Sequence, residues 1–146
     1  MRMIIGRGWA LGCLLCAMAV AVGGEKTAPG PAQITFSEDD FRQGPAHKTQ
    51  EIALVPGQKL VIQLGSNPST GFSWGEKPAN SAPEVIKFEQ HERIGPKQAR
   101  PGAGGSQSWT YEAVKAGTAT LNFAYNRPWE GGEKGVWTLK VNIKVQ

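Results

Sequence analysis

TATLNFAY, residues 118–125, decides the fold. Ala119, Leu121, Phe123 and Tyr125 fall on one side of an extended chain, and Thr118, Thr120, Asn122 and Ala124 on the other. A period of two is that of a β-strand with one face buried and one solvated. WTLKVNIKV (137–145) repeats it, with Trp137, Leu139, Val141, Ile143 and Val145 set against Thr138, Lys140, Asn142 and Lys144. Leu60, Ile62 and Leu64 alternate in the same way upstream. Trp109, Tyr111 and Ala113 suggest another strand, Ile86 and Phe88 a weaker one, and Phe72 and Trp74 open one more. Ile34 to Phe36 and Ile52 to Val55 supply N-terminal strands. No segment carries a convincing helical period, and 10 prolines and 19 glycines punctuate the chain. The expected architecture is an all-β sandwich of seven to eight short strands.

The first residues stand apart from this pattern. Arg2 and Arg7 precede a 14-residue apolar run, Trp9 to Val22, and small residues follow. That is the layout of a secretory signal peptide, with Ala19-Val20-Ala21 as one small-x-small cleavage site. A membrane span needs about 20 apolar residues. A lipoprotein signal would place Cys13 later in the run and a leucine where Ala10 stands. The expected division is a cleaved signal over 1–23, a flexible Pro/Gly-rich tail over 24–32 and one domain over 33–146. The expected destination is extracytoplasmic, either periplasmic or secreted. Both cysteines, Cys13 and Cys16, leave with the signal, so the remaining chain must hold itself together by its core, without disulfides. Losing Arg2 and Arg7 also leaves 14 basic and 12 acidic side chains. So small an excess points to neither nucleic acid nor an anionic membrane as partner.

Label the strands near 58–64, 72–76, 85–93, 107–115, 118–126 and 136–145 in order. If successive strands reverse direction, every second connection lies at the same end. Gly65 to Gly71, Ile94 to Ser106 and Arg127 to Gly135 then share one rim, as binding loops do in an immunoglobulin-like sandwich. Ala116-Gly117 is expected to form a tight hairpin turn at the other end.

Catalytic chemistry finds little support. His47 and His91 have no neighbours that suggest a catalytic triad or metal set, and plain surface histidines account for them. Asp39-Asp40 reads as a solvated turn before an acid–base pair. No phosphate loop, dinucleotide fingerprint or zinc spacing occurs, and no metal or cofactor is expected. Binding chemistry fits the three loops better. In NPSTGF (67–72), Pro68 stiffens its own backbone and that of Asn67, Gly71 permits a shape other residues avoid, and Ser69 and Thr70 offer uncharged hydroxyls. In RPGAGGSQSW (100–109), Gly102, Gly104 and Gly105 let main chain approach a partner. In NRPWEGGEKG (126–135), Arg127 and Trp129 are residue types enriched at interface hot spots, held by Pro128. Ordinary turns remain the alternative for each loop taken alone.

NPSTGF, GAGG (102–105) with Trp109 beyond it, and RPW (127–129), in that order and spacing, resemble the three motifs of the chagasin family. The likeness extends from about Gln33 to Gln146. It implies an immunoglobulin-like sandwich, monomeric and not an enzyme, that blocks papain-type cysteine peptidases reversibly and without a covalent bond. By the same resemblance, Asn67, Pro68, Ser69, Thr70, Gly71 and Phe72 enter the catalytic cleft, with Thr70 near the enzyme's cysteine and histidine. Gly102, Ala103, Gly104 and Gly105 lie along one side of the cleft, and Arg127, Pro128 and Trp129 grip the other. Phe72, together with Trp74, also serves to anchor its loop in the core. Ser69 departs mildly from the family's usual threonine. A carbohydrate- or adhesion-type sandwich, with Trp129 stacking on a sugar, remains the competing class.

Overall fold

The computed structural model describes residues 29–98 and 100–146. The expected signal segment and most of the expected tail lie outside the described residues. In chain order the elements are β1 (Ala32–Phe36), α1 (Glu38–Arg42), β2 (His47–Leu54), β3 (Lys59–Ser66), a single 3-10 turn (Pro68–Thr70), β4 (Ser73–Trp74), β5 (Ala79–Asn80), β6 (Ile86–Ile94), β7 (Gly105–Ala113), β8 (Gly117–Asn126) and β9 (Trp137–Val145). One sheet runs β1-β3-β7-β6. The other runs β2-β9-β8-β4, with β5 also paired to β8.

The period-two pattern places the core as expected. Leu60, Ile62, Leu64, Trp109 and Tyr111 of one sheet meet Leu121, Phe123, Tyr125, Leu139, Val141 and Ile143 of the other, all buried. The strand after Phe72 is broken in two, and β4 and β5 are only two residues each, which brings the total to nine. Gly75 and Pro78 fall in the gap, and a proline offers no N–H to a ladder.

Two pairings have no counterpart in the sequence pattern. β1 lies parallel to β3, with Ala32 opposite Leu60 and Phe36 opposite Leu64. β2 lies parallel to β9. The chain crosses from one sheet to the other between them, through α1.

That one-turn helix corrects the expectation of no helix. Ser37 caps it: the Ser37 hydroxyl accepts from the Asp40 N–H at 3.3 Å, and the Asp40 carboxylate accepts from the Ser37 N–H at 2.6 Å. This reciprocal capping satisfies donors that the first turn would leave orphaned. Hydrogen bonds from Ser37 hold the Asp40 carboxyl below its ordinary value. Asp39 and Asp40 are thus helix-start residues. Phe41, 2% exposed, pins the turn to the core.

The expected hairpin at Ala116-Gly117 is also corrected. β7 and β8 belong to different sheets, so the short connection arches between them. Both strands turn their apolar faces inward, so they pack face to face, and β8 takes its ladder from β9.

The rim geometry stands. β3 and β6 are both antiparallel to β7, and β4 and β9 are both antiparallel to β8. The connections β3–β4, β6–β7 and β8–β9 therefore emerge at one end.

Candidate functional site: a three-loop rim

The β3–β4 loop is organised by Asn67, which is only 8% exposed. Its Oδ1 accepts from the Ser69 N–H at 3.1 Å and the Ser69 hydroxyl at 2.5 Å. Its backbone N–H donates to the Tyr125 hydroxyl at 3.0 Å. Pro68 starts the 3-10 turn, where its missing N–H costs nothing. Gly71 ends it with φ +79°, a left-handed conformation natural to glycine. The Thr70 hydroxyl donates to the Asn67 carbonyl at 2.7 Å. Pro68, Ser69 and Thr70 are exposed, yet both hydroxyls are already bonded within the loop. A surface that satisfies its own polar atoms loses less on desolvation.

The loop rests on Trp74, 1% exposed, whose indole N–H donates to the Gly65 carbonyl at 2.9 Å. Gln107 of β7, also buried, reaches across the sandwich to it. Its Oε1 accepts from the Trp74 N–H at 2.9 Å and its Nε2 donates to the Trp74 carbonyl at 3.2 Å. The side-chain amide completes a ladder that the two-residue β4 lacks on that side. The same Nε2 lies 3.0 Å from Nε2 of His91, which accepts as a neutral imidazole. Burial pushes the His91 pKa down, in keeping with that role. His91, its ring tilted 32° against Trp109 at 5.2 Å, is thus a half-buried structural residue rather than a solvated one. His47 is exposed and bonded to the Thr138 hydroxyl at 2.8 Å. Sequence reasoning missed Gln107. An isolated polar residue at an inward-facing strand position was its one available signal.

The three loops touch. Asn67 Nδ2 donates to the Gly102 carbonyl at 3.0 Å. Arg127 donates from Nε and Nη2 to the Thr70 carbonyl, each at 3.4 Å. Its guanidinium lies 4.4 Å from the centre of the Phe72 ring. The Trp129 indole lies flush against Gly71, and a Cβ there would collide with Cη2. Trp129 is itself 51% exposed. Phe72 stacks on Tyr125 at 5.4 Å, Tyr125 on Trp137 at 4.8 Å and Trp137 on Phe41 at 5.3 Å. This aromatic column carries the rim down to α1. Phe72 and Trp74 anchor the first loop, with Phe72 half-buried and Trp74 fully so.

The structure brings every site residue expected from the sequence to one end of the sandwich. Two of them differ in kind. Asn67 points into its own and the neighbouring loop. Gly105 already belongs to β7, opposite Ser66 of β3. The part of the glycine motif outside the ladder is therefore residues 102–104, where Gly102 has φ +78° and the Ala103 N–H donates to the Arg100 carbonyl at 3.0 Å. Among the described residues no group of three or more His, Cys, Asp or Glu could hold a metal ion.

Residues 53–143 match the family described as chagasin family peptidase inhibitor I42. The chain belongs to that family. It is 34% identical to chagasin of Trypanosoma cruzi over 102 residues, covering 68% of this chain and 93% of chagasin. It is 30% identical to amoebiasin-2 of Entamoeba histolytica over 91 residues, covering 60% of this chain and 70% of that protein. Among solved structures, the cysteine protease inhibitor EhICP2 from Entamoeba histolytica superposes with a TM-score of 0.59 at 23% identity, covering 81% of this chain and 99% of that one. PbICP-C, solved in complex with falcipain-2, does so with a TM-score of 0.55 at 17% identity, covering 79% and 99%. These two likenesses bear on the fold, an immunoglobulin-like β-sandwich. The family match begins at residue 53, so β1, α1 and most of β2 of this chagasin-family chain lie ahead of it.

Proposed function

We propose that the rim of the β3–β4, β6–β7 and β8–β9 loops is the surface with which this protein blocks its target. The protein is a reversible, non-covalent inhibitor of papain-type cysteine peptidases, and it is not an enzyme. The exposed turn Pro68-Ser69-Thr70 enters the catalytic cleft, with Gly102, Ala103 and Gly104 along one wall and Arg127, Pro128 and Trp129 on the other. Asn67, Gly71 and Phe72 act mainly by holding that turn in shape, and Gly105 by seating the glycine loop. The observation that carries this reading is the contact of Arg127 and Trp129 with Thr70 and Gly71. Wedge and clamp form one preorganised surface, and a surface ordered before docking loses less entropy on docking.

The wedge suits a cleft because it brings no charge and leaves no polar hydrogen to be orphaned. A proline and a left-handed glycine keep the turn from the extended shape a substrate must take. A three-loop contact buries roughly 800 Å² per partner, the usual size for a protease–inhibitor pair. Thr70→Asp places a charge in the cleft and Trp129→Ala removes the clamp. Each is expected to weaken inhibition by about 2 kcal/mol or more, as hot-spot truncations do. Inhibition constants against papain, measured on variants with wild-type melting temperatures, test this, and unchanged constants contradict it. The layout of residues 1–23 supports export from the cytoplasm before the domain, 33–146, acts as a monomer.

A further inference from the structure

We propose that the corner between β1 and α1 is a brace for the inhibitory rim, and that Glu38 is the residue through which it positions the glycine loop. This rests on the reading that the glycine loop lines the peptidase cleft.

β1 runs parallel to β3 as far as Phe36 opposite Leu64. The two chains then part. β3 continues through Gly65 and Ser66 into the wedge, while the other turns through Ser37 into α1. They part at backbone contact. A Cβ on Gly65 would lie 2.9 Å from the Ser37 carbonyl carbon and 3.1 Å from Cγ of Glu38, and would collide with the Glu38 nitrogen. Gly65 has no left-handed φ to explain it. Its bare Cα is the space in which the corner sits.

Glu38 extends this contact to the second loop. Its Oε2 occupies the place where a side chain on Gly104 would begin, 2.6 Å from an ideal Cβ there. Gly104 also has no left-handed φ. Its backbone would accept alanine, and the Glu38 carboxylate would have to move aside to admit one. The carboxylate is tethered by Arg42, 3.6 Å away and four residues on, and its side chain is only 17% exposed. The same loop is held by Asn67 through Gly102, and Cβ of Asn67 lies 3.8 Å from that same ideal Cβ on Gly104. The glycine loop thus rests on Asn67 and Glu38 together. Glu38 lies ahead of residues 53–143, the span matched by the family model.

A support that acts by preorganisation leaves the docked contacts intact and raises the fraction of molecules ready to dock. The test uses the exported chain, residues 24–146, and papain with a small fluorogenic substrate. Glu38→Ala is expected to raise the inhibition constant about tenfold, chiefly through slower association. Glu38→Gln, which keeps the shape over Gly104, is expected to restore most of it. Gly104→Ala is expected to cost much less in the Glu38→Ala background than in the wild type, the non-additivity of groups in contact. In the free inhibitor, amide exchange at Ala103–Gly105 is expected to quicken in Glu38→Ala. Additive effects of the two substitutions, with unchanged exchange, would overturn the brace. A loss confined to dissociation would also overturn it, since that marks direct contact with the enzyme. If wild-type protein fails to inhibit papain, the rim reading fails first, and the exchange experiment still decides whether Glu38 orders the loop.

Discussion

Asn67 orders two rim loops at once. It ties the wedge to itself, to Tyr125 and to Gly102, and it is almost fully covered. Asn67→Ala is expected to weaken inhibition of papain at least tenfold, about 1.4 kcal/mol or more, because several hydrogen bonds are lost together. Its melting temperature is expected to fall by only a few degrees. Equal inhibition by Asn67→Ala would show that the turn keeps its shape without the bracket. His91 makes a second prediction. Its pKa lies below the ordinary 6.5 because burial disfavours the charged ring, with Glu76 opposing and Arg93 adding to the shift. The stability it contributes as a neutral acceptor is therefore whole above pH 6.5 and is lost as pH falls through its folded value. Wild-type melting temperature should drop more steeply below pH 6.5 than that of His91→Gln. Parallel curves would remove His91 from the account. The stiffness of NPSTGF was legible in Pro68 and Gly71. The collision that also forbids a side chain at Gly71 was not, because Trp129 lies 58 positions away and no local pattern records it.

The strands were legible as elements because alternation over eight or nine residues leaves no other period to fit. α1 was not, because five residues make a single turn and show no helical repeat. The trace it did leave was Ser37 and Asp40, a capping pair three apart. Ser37→Ala is expected to destabilise the protein by about 1 kcal/mol, the usual worth of an N-cap. By loosening the corner that carries Glu38 it should also raise the inhibition constant. Calorimetry and a papain titration on the same sample separate the two effects, and a normal melting curve would discount the cap. The parallel pairing of β1 with β3 and of β2 with β9 was equally out of reach. Both follow from the chain crossing between sheets at α1, and pairing partners are not written in a strand's own alternation. The arch at 114–116 was mistaken for a hairpin because a tight turn looks the same whether the strands beside it pair or pack.

At the scale of the molecule, the alternation of strand direction from β3 to β9 puts all three loops at one end, and this could be derived before any contact was seen. What could not be derived was that they touch, and that an aromatic column from Phe72 to Phe41 supports them. Residues 24–146 contain no cysteine, so stability comes from the shared core. Leu121→Ala, at a fully buried site, is expected to cost about 2–5 kcal/mol. The unfolding midpoint of the wild type should be the same with and without a reductant, so the inhibitor works under the reducing conditions a cysteine peptidase requires. A reductant-dependent midpoint would contradict a core that stands alone.

The most direct measurement is a titration of residues 24–146 into papain with a small fluorogenic substrate, followed by dilution and by mass analysis of the recovered inhibitor. A rim that wedges the cleft without chemistry predicts dose-dependent, competitive inhibition, full recovery of activity on dilution and an uncut chain at Ser69-Thr70. Folded protein that leaves papain fully active at micromolar concentration, or that is cleaved in the wedge as inhibition fades, would contradict it.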